Sequence, residues 1–500
     1  MTHQDVVDDD ANREWYNSRP LDVHRWSDYP EVNSFVNAIF DTHFTDEEGN
    51  QTIRKKHLKV VLLDLYICWL EDPEAHLAAH MKKDAYSNGT VAVKGKSRYN
   101  ELHIKYTITK VIHHLEETGL IGLKGGFKNP DGFGRLTRIW AKPSLVKMFE
   151  DAAFGYFHIG YADKRVVIEM RDEDKLPIPF DPSNEVMEME SILKRYNALL
   201  ERSFIDIPHA DKPRIELKEK KKRRKSNRPL FVQLSHHAKF VKRIFNNESW
   251  QDGGRFYGGW WQRIDADERA KIRINNTSTV EIDYSAIHIV LMYAEAKIDY
   301  WEMTDKDPYD LPVRDINNPE HARNVVKLFF LLAVNASDED KLFRAFRNSH
   351  DYDTMPYSFT NEVLGDLLET IKQAHPDIAK FICTGAGIKL MRQDSDMVSY
   401  IIEQMTKDDV PVLSVHDSFI VPFGQEDRLY QLMKEAFTLI TGKLHIQMKW
   451  NDNLTKKQLY AHGAQDRDFY LDSVMHITKP EASNGYQRRM ERHKAFYGRS

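Results

Sequence analysis

Two β-rich runs of the chain each carry an aspartate into apolar surroundings, and this feature restricts the fold most. The run VEID ends at Asp283 and continues directly into YSAIH, while VPVLSVHDSFIVP carries Asp417 in its middle. A carboxylate inside an apolar run is costly unless it is paired or holds a cation. Either aspartate alone can cap a helix or form a salt bridge, but the repetition predicts two neighbouring strands that bring both around metal.

Length and composition indicate a soluble protein with two or three domains. A chain of 500 residues exceeds one core, and its 41% hydrophobic and 29% charged content is typical of globular proteins. It has no apolar run of about 18 residues and starts with the acidic MTHQDVVDDD, so we expect neither a membrane span nor a signal peptide. Cys68 and Cys383 each stand alone, which favours a reducing cytoplasm over a disulfide framework or zinc cluster.

The first 150 residues divide into a polar arm and a helix–strand segment. Residues 1–50 are acidic and polar, and we interpret them as an arm with little structure of its own. The pattern KKHLKVVLLDLYICWLE predicts a helix up to Glu71. YTITKVIHHLEETGLIGL predicts a second helix, capped by Thr107 or Thr109 and stopped by Gly119. LIGLKGG, FKNPDGFG and RLTRIWA then predict a strand, a glycine-rich turn and a returning strand.

This order of elements, with its TxxxVxxxLEExGLI motif, resembles the winged-helix DNA-binding fold across residues 51–150. The resemblance implies that one helix face and the wing contact DNA. The helix residues implied are Tyr106, Thr109, Lys110, His113 and His114, and the wing residues are Lys124, Lys128, Arg135 and Arg138. A winged helix used for protein contacts is the alternative.

Residues 151–229 are interpreted as a helical, thumb-like region followed by a basic linker. PSNEVMEMESILKRYNALLERSF predicts a long helix over residues 182–205. The run KEKKKRRKSNRP, residues 218–229, is extended by its own charge repulsion and is typical of a nucleic-acid contact, with a solvated loop as the alternative. Residues 454–500 are interpreted as a tail whose basic end, QRRMERHKAFYGR, also contacts nucleic acid.

Three motifs in residues 230–453 resemble the palm and fingers of family A polymerases, which include polymerase I and the single-subunit phage RNA polymerases. DYSAIH at Asp283 resembles motif A, HARNVVKLFFLLAVNA resembles motif B, and VHDSF around Asp417 resembles motif C. GGRFYG, DPYD at Asp307 and the strand HIQMKWND are weaker echoes. The resemblance implies an α+β fold in which a winged helix-turn-helix precedes a right-hand polymerase. Its palm is an antiparallel sheet, and its fingers and thumb are helical.

The chemistry that this resemblance implies is nucleotidyl transfer with two Mg²⁺ ions, for which Mn²⁺ can substitute. Asp283 and Asp417 would hold the metal, together with the backbone carbonyl of Tyr284, because Mg²⁺ prefers hard oxygen ligands. Arg323 and Lys327 lie four residues apart on one helix face and would grip the incoming triphosphate. The alternative for this pair is an exposed basic face.

The chain departs from the family pattern at several positions. His288 stands where family A DNA polymerases carry a glutamate that excludes the ribose 2′-hydroxyl, and Asn335 stands where they carry a tyrosine at the nucleotide site. Motif C reads HDS, as in the phage RNA polymerases, which puts His416 and Ser418 beside primer or template. Arg255 and Tyr257 of GGRFYGGWWQRI suit contacts with the same strands, or belong to a loose turn with a buried tryptophan pair.

The resulting expectation is a template-directed DNA polymerase or primase-polymerase of a plasmid, phage or similar element. Its partners are a DNA template and primer with dNTPs or rNTPs, and no proofreading domain is expected. One alternative is an RNA polymerase or primase. A second is a non-catalytic DNA-binding replication initiator that uses the polymerase fold as a scaffold.

Overall fold

The computed structural model describes residues 17–45, 49–87, 99–129, 134–217, 230–349, 359–442, 444–451 and 482–498. These residues form a mixed α+β protein, which confirms the expected fold class, and they build two separate cores. We call the parts that contain these cores the N-terminal body (residues 17–162) and the large body (residues 163–451). In none of these ranges is a helix both long enough and apolar enough to cross a membrane.

The N-terminal body is a four-stranded sheet with helices packed around it. The sheet has the order β1-β3-β7-β4, in which β1 is parallel to β3 and the other pairs are antiparallel. The elements are β1 (Ser18–Pro20), β2 (Arg25–Trp26), α1 (Pro30–His43), α2 (Gln51–Glu71), β3 (His76–Ala79), α3 (Asp84–Ser87), α4 (Ile108–Glu117), β4 (Ile121–Lys124), β5 (Phe127–Lys128), β6 (Gly134–Arg135), β7 (Thr137–Ala141), α5 (Pro143–Glu150) and β8 (Gly160–Tyr161).

Helix α2 is the centre of this body. Every residue from His57 to Cys68 is buried, as expected for a helix that is packed on all sides. Helix α1 packs against α2 through Val32, Val36, Ile39 and Phe40. The interpretation of residues 1–50 as an unstructured arm is therefore wrong for residues 17–44, because an apolar stripe with helical spacing lies inside this polar segment.

The helix and hairpin predicted after residue 106 are present. Helix α4 is followed by Gly119, whose φ of 74° suits a residue without Cβ, and then by the antiparallel pair β4–β7. Thr107 occupies the predicted N-cap position, but its side chain makes no capping hydrogen bond and lies 3.4 Å from Nδ1 of His57 instead. The Thr109 hydroxyl donates to the carbonyl of Tyr106 at 2.9 Å.

The large body contains three sheets surrounded by helices. Its elements are β9 (Ile168–Arg171), β10 (Pro177–Ile178), α6 (Asn184–Arg202), β11 (Ile205–Asp206), β12 (Arg214–Glu216), β13 (Phe231–Gln233), β14 (Lys242–Asn246), β15 (Ser249–Tyr257), α7 (Ala266–Arg269), β16 (Arg273–Ile274), β17 (Thr277–Tyr284), α8 (Ile287–Glu295), α9 (Tyr300–Met303), α10 (Pro319–Asn335), α11 (Glu339–Ser349), α12 (Asn361–Ala374), α13 (Gly387–Lys407), β18 (Leu413–Val415), β19 (Ser418–Pro422), α14 (Glu426–Thr441) and β20 (Met448–Asn451). The main sheet has the order β11-β16-β17-β19-β18, and β20 also pairs with β17. Each of these pairs is antiparallel.

The predicted long helix is present as α6, but residues 151–217 are not a separate region. Strands β9 and β10 form one sheet with β14 and β15, and β11 extends the main sheet. The sequence places these strands before the basic run, so a boundary drawn at that run cuts across two sheets. The basic run itself, residues 218–229, lies outside the described residues.

The interpretation of residues 454–500 as a tail is wrong for residues 484–497. They form helix α15 (Asn484–Tyr497), which docks where the two bodies meet. Tyr486 is fully buried against Phe204, and Arg489 donates to the carboxylate of Asp206 at 2.7 Å. Phe496 packs on Phe157 of the N-terminal body. The aromatic face of this helix is therefore a packing surface, although the sequence reads as a basic amphipathic end.

Replacing Gly485 with alanine should release α15. A Cβ at this position would lie 1.8 Å from the carbonyl oxygen of Asp211, so the helix must shift. We expect a loss of about 1–3 kcal/mol, typical of overpacking, and faster hydrogen exchange over residues 484–497. Gly365→Ala is the matched control, because its Cβ meets nothing within 4 Å in α12 and should add about 0.5–1 kcal/mol. Unchanged exchange in Gly485→Ala would contradict this docking.

Candidate functional site

The two aspartates lie at the ends of paired strands, as the sequence predicts. Asp283 is opposite Ser418 in the β17–β19 register, and Asp417 belongs to the two-residue turn that joins β18 to β19. The backbone amide of Tyr284 donates to the carbonyl of Asp417 at 3.4 Å. His416, the first residue of the turn, has φ of 57°, a conformation found in tight hairpin turns. The hairpin thus delivers Asp417 beside the end of β17.

The pair is electrostatically unfavourable without a cation. Burial and the charge of Asp417 together raise the pKa of Asp283 to about 7, although Lys327 and Lys449 act in the opposite direction. Two partly buried carboxylates with this coupling are a hard-oxygen donor set of the kind that Mg²⁺ prefers. The donor set therefore fits a divalent cation.

Neighbouring side chains on this face of the sheet already form hydrogen bonds or ion pairs with one another. The Ser418 hydroxyl donates to Glu281 at 2.6 Å, and Arg269 lies 3.3 Å from the same carboxylate. Ser418 is 6% exposed, so its predicted contact with primer or template is wrong: the hydroxyl supports Glu281 instead. Tyr284 is buried and its phenol donates to the carbonyl of Met433, so its side chain stays within the core.

Helix α10 brings two predicted cations towards the pair. Arg323 donates to Asp307 at 2.6 and 2.9 Å, and Lys327 is exposed one turn further along. Because Lys327 lowers the pKa of Asp283, its ammonium lies within electrostatic reach of the carboxylates. Asn335 is different. It is the last residue of α10, and its amide donates to the carbonyl of Leu331, so the side chain folds back on its own helix.

His288 belongs to a buried polar cluster that the sequence did not reveal. Its Nε2 lies 2.9 Å from Asp394, which is 2% exposed on α13, and Arg255 donates to the same oxygen at 2.6 Å. Burial alone would raise the pKa of Asp394, but the hydrogen bonds from His288 and Arg255 lower it below its usual value. Arg255 also interacts electrostatically with Asp417, so this cluster adjoins the carboxylate pair.

Two other residues predicted to contact primer or template, His416 and Tyr257, are exposed. Tyr257 lies at the end of β15. Trp260 and Trp261, in contrast, are buried directly after β15, which favours the interpretation of this segment as a turn with a buried tryptophan pair.

The predicted DNA-contacting residues of the N-terminal body are also only partly exposed. Thr109 is buried and bonded to its own helix turn, so its predicted DNA contact is wrong. His114 is half-buried and lies against Phe44 and the carbonyl of His43, so its ring packs towards helix α1. Arg138 is half-buried and donates to the carbonyl of Leu136, and Arg135 stacks on Phe127. The other predicted residues of this body are exposed: Tyr106, Lys110, His113, Lys124 and Lys128.

Elsewhere in the large body, Asp299, Glu302 and His445 bring three potential metal ligands together. Asp299 caps α9 and also accepts hydrogen bonds from the backbone and ring of His445. These contacts give the cluster a structural role in holding α9 to the chain before β20.

Comparison with known proteins assigns no family. No protein-family model matches the chain, and no curated protein matches it in sequence. The chemistry of the site is therefore inferred from the two carboxylates and the cations around them.

Asp283→Asn should stabilise the protein at neutral pH without divalent metal. The folded pKa of Asp283, about 7, lies above the unfolded value near 4. As pH rises from 4 to 7 the unfolded state loses a proton that the folded state keeps, so the stability of the parent falls. The variant lacks this fall and should be more stable above pH 7 by up to roughly 4 kcal/mol, because each pKa unit corresponds to about 1.4 kcal/mol.

Urea unfolding at a series of pH values in EDTA measures this difference. The exposed Asp310 provides the control, since Asp310→Asn should leave the pH dependence of the parent unchanged. Parallel stability curves for the parent and Asp283→Asn would show that Asp283 does not carry a raised pKa.

Proposed function

We propose that the protein is a template-directed nucleotidyltransferase of the family A type that extends DNA with Mg²⁺. The observation that carries the proposal is the Asp283–Asp417 pair, in which Asp283 on β17 lies beside the β18–β19 turn that carries Asp417, and the two negative charges repel each other. Holding two partly buried carboxylates close together costs free energy, and a bound divalent cation would offset this cost.

The residues around the pair suit phosphoryl chemistry. Asp283 and Asp417 would hold the metal, which supplies charge stabilisation for the attacking oxygen and the leaving pyrophosphate. Arg323 is oriented by Asp307, and Lys327 is exposed on the same face of α10, so both can bind phosphate oxygens of a triphosphate. Lys449, opposite Asp283 in β20, adds a third positive charge.

His288 supports DNA rather than RNA synthesis. Its ring is held by Asp394 and lies 3.2 Å from Arg255, so it is a bulky group with little freedom to move aside. A fixed imidazole at this position would crowd a ribose 2′-hydroxyl. RNA synthesis is the competing proposal, and it predicts that rNTPs are incorporated as readily as dNTPs.

The N-terminal body is proposed to bind duplex DNA as a winged helix. Helix α4 followed by the β4–β7 pair supports this proposal, as do three exposed lysines on these elements: Lys110, Lys124 and Lys128. Cations that contact phosphates fix the position of a protein on DNA without reading its sequence. We therefore propose that this body places the large body on a particular duplex or junction of a self-replicating element.

Asp417→Asn should abolish Mg²⁺-dependent nucleotide incorporation. We expect a loss of about 10³-fold or more, because metal-ion charge stabilisation contributes several kcal/mol. Primer extension is measured with dNTPs and rNTPs offered separately, and a thermal unfolding curve checks the fold.

Asp299→Asn is the control for this experiment, since it alters the other carboxylate cluster and should leave extension intact. Undiminished synthesis by Asp417→Asn would refute the metal assignment. If the parent incorporates neither kind of nucleotide yet still binds DNA, the non-catalytic initiator is the better description.

Replacing Lys110, Lys124 and Lys128 with glutamine together should flatten the salt dependence of duplex binding. Each lost phosphate contact removes about 0.9 from the slope of log K against log salt, so we expect a decrease of about two to three. In the control, three exposed lysines of the large body are replaced with glutamine, so that the same amount of charge is removed: Lys306, Lys341 and Lys407. Equal slopes for the parent and the variant at Lys110, Lys124 and Lys128 would favour a protein-docking role for this body.

A further inference from the structure

A cleft of about 510 Å³ separates the N-terminal body from the large body. Arg25 of β2 lines one side, and Arg165, His237 and Phe240 line the other. A second cavity of about 210 Å³ is adjacent and shares Arg165, His237 and Phe240 with it. The carboxylate pair does not line either cavity, so the two are distinct from the candidate site.

Aromatic rings hold two guanidinium groups in this cleft. The guanidinium carbon of Arg165 lies 3.8 Å from the ring centre of Tyr161 and 3.7 Å from that of Phe240. Arg25 lies 5.0 Å from the same Tyr161 ring. Stacking restrains a guanidinium plane and leaves its N–H edge for planar acceptors such as phosphate oxygens.

Three nitrogens that belong to these lining residues are buried without a hydrogen-bond partner in the described part of the chain. They are Nη1 of Arg25, Nη1 of Arg165 and Nε2 of His237. The Arg25 side chain is 3% exposed and uses its Nε for Asp64 at 2.9 Å, while its Nη1 is left without a partner. Buried polar nitrogens nearly always have partners, and two guanidinium N–H groups without one beside the same cleft point to an acceptor that binds there.

The charge around the cleft is positive after its internal pairs are counted. Glu169 pairs with Lys242, and Glu101 pairs with His24. Arg165 and Arg263 have no carboxylate within ion-pair distance among the described residues. Two acidic groups face the arginines: Asp64 pairs with Arg19 and Arg25, and Asp22 lies 3.7 Å from Arg25 and accepts a hydrogen bond from the phenol of Tyr161 at 3.0 Å. Burial lowers the pKa of His237 well below its usual value, and Arg25 and Arg19 lower it further, in agreement with a positive potential.

We propose that this cleft between the two bodies binds a phosphate group, with Arg165 and Arg25 as donors and Tyr161 and Phe240 as the stacking walls. A mononucleotide and a single-stranded nucleic acid both present this chemistry. That the phosphate comes from a strand leading towards the carboxylate pair rests on the proposed function, whereas the phosphate site itself does not.

Two probes test the proposal: inorganic tripolyphosphate and a labelled single-stranded DNA of twelve nucleotides, both titrated in EDTA. Arg165→Gln should weaken binding by about tenfold or more, as expected for the loss of charge-assisted hydrogen bonds. Lys164→Gln is the matched control, because Lys164 is exposed in the same segment and does not line the cleft. Its affinity for both probes should stay within about twofold of the parent.

Weaker binding of both probes by Arg165→Gln supports a site used by nucleic-acid strands. Weaker binding of tripolyphosphate alone supports a site for free phosphate or a mononucleotide. Unchanged binding of both probes by a folded Arg165→Gln overturns the proposal.

If that variant does not fold, Arg165→Lys replaces it, since lysine keeps the charge but loses the planar, two-donor edge. This variant should bind both probes more weakly than the parent, and parental affinity for both would overturn the proposal. Failure of the polymerase proposal would appear as a parent protein that incorporates neither dNTPs nor rNTPs, which leaves the binding results for Arg165 unaffected.

Discussion

The repulsion between Asp283 and Asp417 is the constraint around which the large body is arranged. Strand pairing fixes the two carboxylates near each other, and burial removes much of the water that would screen them. The surrounding elements supply positive charge from different directions, with Lys327 on α10 and Lys449 on β20. The carboxylate pair at this edge of the sheet is thus surrounded by positive charge from two other elements.

A second group of polar side chains adjoins the carboxylate pair and connects α13, β15 and α8. Asp394 on α13 accepts hydrogen bonds from Arg255 on β15 and lies against His288 on α8. Because Asp394 is almost fully buried, loss of either partner would leave a poorly compensated charge in the core. The position of α13 is therefore coupled through Arg255 to the electrostatics of Asp417. A substitution that displaces α13 would therefore also change the electrostatic environment of Asp417.

Local pattern was enough to predict the strands of Asp283 and Asp417, the helices α2, α4, α6 and α10, and the α4 hairpin. It failed where a residue's role depends on a distant partner. Asp394 sits within the polar run RQDSDM, and its partners lie 106 and 139 residues away, so periodicity gave no sign of them. Thr109 was assigned to the outer face of its helix and Ser418 to a contact with primer or template, because a motif describes sequence position and not burial. The apolar stripe of α1 and the aromatic face of α15 were missed, because each lies in a segment whose overall composition is polar.

The docking of α15 has a consequence for the order of events during synthesis. Asp206 is 2% exposed and bonds to Arg489, which follows it 283 residues later in the chain. At about 5–20 residues per second, the ribosome makes this partner roughly 15–60 s after the aspartate. During that interval the carboxylate has no Arg489, and Phe204 has no Tyr486 to cover it. In the nascent chain, Asp206 and Phe204 therefore stay without these partners until residues 484–497 emerge and pack on them.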